Sequence, residues 1–134
     1  KALAFLYLYS NKLNLRFMQG NFANGDELVE KIQKRIKKYK DRIDEHHIMV
    51  FYYKIASLYF GDGNNKKCIE YLNKIINNKS LEMREDLMCF ARILSLVAHY
   101  EAGLDYHLDR LVKSTYKFLI KMNDLNKLRR LHNK

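Results

Sequence analysis

At 134 residues, 48% of them hydrophobic and 30% charged, the chain can build one self-sufficient core and is too apolar to stay disordered. Five glycines and no proline favour long uninterrupted helices over loop-rich and β-sandwich architectures, which usually carry several prolines. The net charge of +10 points toward acidic partners or phosphate backbones, and no apolar run approaches the ~18 residues a membrane span needs.

From Ala2 to Met18, Leu3, Leu6, Tyr7, Leu13 and Phe17 recur at three- and four-residue steps, which predicts a helix stopped by Gly20-Asn21. This stretch lacks the charged start, long apolar run and cleavage site of a signal peptide. With no initiator Met, the expectation is a fragment that begins inside a helix of a longer chain. Asp26 is placed to cap a second helix with Leu28, Val29, Ile32, Ile36, Tyr39 and Ile43 inward. A third helix, about Asp44 to Phe60, is apolar nearly all round and therefore packed on several sides. Gly61-Asp62-Gly63-Asn64 is the plainest turn, and a fourth helix runs from about Lys66 to Asn77. Ser80 can cap a fifth, about Glu82 to Ala102, and Gly103 ends it. A sixth follows from about Asp105 to Met122, and Asp124 is expected to cap a last short helix holding Leu125, Leu128 and Leu131. No segment alternates strictly, so no strand is expected. The two cysteines, Cys68 and Cys89, form no CxxC pair and read as small buried hydrophobes in a reducing compartment, hence a cytoplasmic location.

Gly20, Gly63 and Gly103 stand 43 and 40 residues apart, each after an aromatic-rich helix end. A period in this range marks stacked supersecondary units sharing one core. The central unit, Tyr52, Ile55, Ala56, Tyr59, Cys68, Leu72 and Ile75, resembles a tetratricopeptide repeat in its order of aromatic, large and small packing slots. In the first unit Gly25 takes the small slot while Lys12 and Arg16 break the pattern; in the third, Leu108 fills it after an extra residue. The run of the sequence is also similar to Bacteroidetes proteins that carry such repeats. The resemblance implies an all-α fold of antiparallel helix-turn-helix units stacked into a right-handed superhelix of six to seven helices. The units fall at about residues 2–43, 44–78 and 81–122, with a terminal helix at about 124–132. It further implies that the first helix of each pair lines a concave groove where a partner peptide or helix lies.

Little in the sequence points to chemistry. His46, His47, His99, His107 and His132 are scattered, with no HExxH, no GxSxG and no Gly-rich phosphate loop. Glu45 beside His46 and Asp105 near His107 are chance-level pairs, and Cys68, Cys89 and His99 lack the close ligand pairs of a zinc site. The expectation is a non-enzymatic protein without cofactor or metal, binding another protein. Lys31, Lys34, Arg35, Lys37, Lys38 and Lys40 crowd the second helix, and Lys113, Lys117 and Lys121 form a four-residue stripe on the sixth. They support an alternative, a nucleic-acid-associated or regulatory domain, although lysine outweighs arginine and solvated helix faces account for the same rows. The helical turn between the packing slots places Tyr53, Lys54, Ser57 and Phe60 on the groove side of the third helix. Asn14 and Phe17 are their counterparts in the first unit, and Tyr100 or Glu101 in the third. Aromatics beside amides and a lysine suit the reading of an acidic or carboxylate-bearing peptide.

Overall fold

The computed structural model describes residues 1–80 and 85–133, the side chains of residues 105 and 106 aside, and shows no strand among them. Six helices follow in order: α1 (Ala2–Gln19), α2 (Asp26–Tyr39), α3 (Glu45–Gly61), α4 (Asn65–Ile76), α5 (Glu85–Glu101) and α6 (Asp105–His132). α1 packs on α2 and α3, α3 on α4 and α5, α4 on α5, and α5 on α6.

The repeated glycines do the same work three times. Gly20, Gly63 and Gly103 have φ of 63°, 79° and 72°, the left-handed conformation that glycine adopts without a Cβ penalty. At each, the glycine N–H returns to the carbonyl three residues back, on Phe17, Phe60 and Tyr100. The next N–H returns five back, on Arg16, Tyr59 and His99, at 2.9, 2.9 and 3.1 Å. This paired closure satisfies carbonyls that a helix end otherwise leaves orphaned. The following helices begin on sequence-encoded caps where one is available: Asp44 accepts from the His46 N–H and Asn64 from the Lys67 N–H.

The 43- and 40-residue register also explains the burial pattern. Phe51, Ile55 and Leu58 of α3 are buried, the Phe51 ring 5.3 Å from that of Phe5 on α1. The positions that match in α5 are Ala91, Ser95 and Ala98, again all buried. Those that match in α1 are Leu8, Lys12 and Leu15, all exposed, because no helix lies on that side among the described residues. Lys12 thus breaks the sequence pattern because its position faces solvent. Arg16, which matches Tyr59, reaches the Ala23 carbonyl at 2.7 Å instead. The central packing positions Ile55, Ala56, Tyr59, Cys68, Leu72 and Ile75 are buried, and Tyr52 is half-buried against the same core. Gly25 is also a close-approach position, since a Cβ there would stand 2.6 Å from Leu58 Cδ2.

Four expectations need correction. Asp26 is the first residue of α2 rather than its cap; its carboxylate accepts from the Tyr59 hydroxyl at 2.6 Å and the Lys67 ammonium at 2.9 Å. α2 stops at Tyr39, and Ile43 reaches the core from the turn beyond. Cys89 is only half-buried. The separate terminal helix does not exist: α6 runs unbroken to His132, with Asp124 in its interior. Nothing before Asp124 breaks a helix, Met122 and Leu125 continue the partly buried stripe, and Arg129 grips Glu85 at the start of α5 with two bonds of 2.8 and 2.6 Å. The expected start of the fifth helix falls on residues 81–84, outside the described residues.

Candidate functional site

Of the residues expected to line a groove, Asn14 and Lys54 meet between α1 and α3, and Tyr53 of α3 meets α5. Lys54 of α3 crosses to α1, donating to Ser10 Oγ at 2.7 Å and Asn14 Oδ1 at 3.1 Å. Burial holds its ammonium below the ordinary lysine range, a shift that a carboxylate laid beside it would reverse. Ser57 spends its hydroxyl on the Tyr53 carbonyl of its own helix, at 2.9 Å. Tyr53 is half-buried, its ring 6.4 Å from that of Phe90 on α5, and desolvation raises its phenol. Phe17 and Phe60 are likewise half-buried and packed against the core, so the two α3 aromatics serve stability as well as any surface. Tyr100 is 64% exposed.

A line of open apolar residues lies on α5. Phe90, Ile93 and Val97 are 55%, 44% and 40% exposed and continue the line of Tyr100. The 40-residue register relates these four to Val50, Tyr53, Ser57 and Phe60, so a signal for them was present in the sequence. It was hidden because α5 is apolar on nearly every side, and composition does not say which side a neighbour covers. Between α1 and α3 a cleft of about 160 Å³ is lined by Leu3, Leu6, Tyr7, Val50 and Phe51, with Lys54 and Ser10 at its polar edge. That is below the ~300 Å³ at which small-molecule pockets begin, and suits one inserted apolar side chain.

The basic rows stand elsewhere. Lys31, Lys34, Arg35 and Lys38 are exposed on α2, where Lys31 and Lys34 pair with Glu27 and Glu30 at 3.4 Å. Lys113, Lys117 and Lys121 are exposed on α6, at the other end of the succession of helix contacts, so the two rows do not merge into one strip.

The buried reactive groups are tuned away from reaction. Burial pushes the Cys68 thiol up to about 12, and burial with the Asp26 hydrogen bond raises the Tyr59 phenol. Among the described residues no group of three or more His, Cys, Asp or Glu converges as a metal ion would require. No helix among them is long and apolar enough to cross a membrane. No family model, no curated protein and no solved structure matches this chain.

Proposed function

We propose that the chain is a tetratricopeptide-like, non-catalytic protein-interaction module that takes a partner peptide or helix along the face of α1, α3 and α5. The observation that carries this reading is the exposed apolar line Phe90, Ile93, Val97 and Tyr100, set beside the Lys54–Ser10–Asn14 cluster. An isolated exposed apolar residue means nothing, but four on successive turns of one helix form a patch of the kind that soluble proteins reserve for contacts. Support for the repeat architecture comes from the thrice-repeated glycine closure and the shared burial register. In such a stack the α1, α3 and α5 face lines the concave groove, and Lys54 meets an acidic group while the α1–α3 cleft and α5 meet apolar side chains.

Selection from a random peptide library tests this. Wild type enriches peptides pairing an acidic residue with apolar anchors, and an Ile93→Ser, Tyr100→Ser variant loses them while keeping the wild-type melting temperature. Failure to enrich any motif, or unchanged recovery by the variant, refutes the reading.

A further inference from the structure

The third helix pair carries a platform that the first two pairs also carry, but with nothing on it among the described residues. α3 lies on the α1–α2 pair through Phe51, Ile55 and Leu58, with Leu58 against Gly25 of the loop entering α2. α5 packs on α3 and α4, and its positions in the same register, Ala91, Ser95 and Ala98, are buried. Each set is spaced i, i+4, i+7. The α5–α6 pair is next in this succession, and no helix among the described residues covers it.

Its open flank can be located from the contact on the other side. Arg92 of α5 stacks over Phe118 of α6 at 4.4 Å along one edge of the pair. At about 100° per residue, Ile93 and Val97 of α5 and Val112, Tyr116 and Ile120 of α6 are all turned away from that contact. All five are at least 40% exposed, Tyr116 reaching 65%. Beside this apolar strip, at the same four-residue step, run the exposed lysines Lys113, Lys117 and Lys121, and Asp109 closes it at one end.

We infer that this platform docks an acidic amphipathic helix of a partner protein, which bears apolar or small residues at i, i+4 and i+7 and glutamates or aspartates along the edge facing the three lysines. The spacing follows from the two helices already seated on platforms of this kind, and the sign of charge from the lysine row. A second copy of this chain fits poorly: α1 would bring Lys12 on its open face, and α6 would bring the same three lysines, against a surface already basic. The platform shares Ile93 and Val97 with the groove reading, while its α6 half, Val112, Tyr116, Ile120 and the three lysines, lies outside that reading and is what the test addresses.

Two labelled synthetic helices of roughly 18 residues, long enough to span the α6 strip, test it. Both carry leucine at i, i+4 and i+7; one has glutamate on its flanks and its twin has lysine. Fluorescence anisotropy should show the acidic helix binding the full chain and the basic twin not, with affinity falling as salt rises. Tyr116→Glu should abolish binding, and the triple Lys113→Glu, Lys117→Glu, Lys121→Glu variant should weaken it about tenfold or more. Lys54→Met should leave it unchanged, which separates this site from the groove. Circular dichroism confirms that each variant folds, as expected for exposed positions. The inference is overturned if neither helix binds, if both bind alike, or if Tyr116→Glu still binds. It is equally overturned if only phosphatidylserine vesicles are bound, or if ultracentrifugation shows a dimer that Tyr116→Glu dissolves.

Discussion

Gly25→Ala adds one methyl group at a place where the fold has no room for it. The backbone itself offers no objection, since Gly25 sits at φ −75° and ψ −15°, ordinary helical values. The obstacle is Leu58: the new Cβ would stand 2.6 Å from its Cδ2 and 3.1 Å from its Cγ. Comfortable carbon contacts need ~3.5–4.0 Å, so the overlap approaches 1 Å. Leu58 is 0% exposed and cannot swing into solvent. Overpacking of this kind costs ~1–3 kcal/mol, and the entropy that alanine removes from the unfolded chain returns ~0.4–1 kcal/mol. The net expectation is a loss of about 1–2 kcal/mol, read as a melting temperature lower by about 4–8 °C for a domain of this size. Thermal and urea unfolding of four proteins decides the matter: wild type, Gly25→Ala, Leu58→Ala and the double variant. Leu58→Ala alone should cost ~2–5 kcal/mol through its cavity, but in that background Gly25→Ala should be neutral or stabilising. A Gly25→Ala protein as stable as wild type, or strictly additive losses, would refute the close approach and with it the small-residue slot of the first unit.

Cys89 should react with a thiol reagent in the native state, while Cys68, 0% exposed, reacts only on unfolding; equal rates would contradict the packing of α4. The Asp26 carboxyl is held below its ordinary 3.8 by the Tyr59 hydroxyl first and the Lys67 ammonium second. Its contribution to stability is therefore present above about pH 4 and lost as the pH falls through the lower folded value. Asp26→Asn should flatten the acid limb of urea midpoints measured between about pH 2 and 6, and an unchanged limb would remove Asp26 from the account. Arg129→Ala should speed hydrogen exchange over residues 123–132 while barely moving the melting temperature, because the Glu85 pair is partly exposed; protection equal to wild type would mean that the pair does not hold the end of α6. Any association of the α2 and α6 lysines with DNA should be weak and vanish as salt rises, whereas a sequence-selective nanomolar complex at physiological salt would favour the nucleic-acid reading.

Local chemistry alone determined much of this molecule. Helical periodicity, the absence of proline and three glycines at a common spacing sufficed for most helices and for their turns, because a left-handed glycine acts within a few residues of itself; the expected caps Asp26 and Asp124 were not legible in the same way. The buried central residues were legible for the same reason, since Ile55, Ala56, Cys68 and Leu72 follow the turn of their own helices. What only the tertiary structure decided is which apolar faces are covered. Lys12 and Ile55 occupy one register position, yet one faces solvent and the other the core, because α3 has a helix pair on that side and α1 has none among the described residues. Tyr53 and Ile93 likewise share a position, but Tyr53 is drawn half into the interior against Phe90 while Ile93 stands 44% exposed. The continuity of α6 through Asp124 belongs to the same class, for a residue able to cap a helix does so only where the chain before it breaks. Coverage is a property of neighbours distant in sequence, and a helix that is apolar all round carries no mark of the side on which its neighbour will lie.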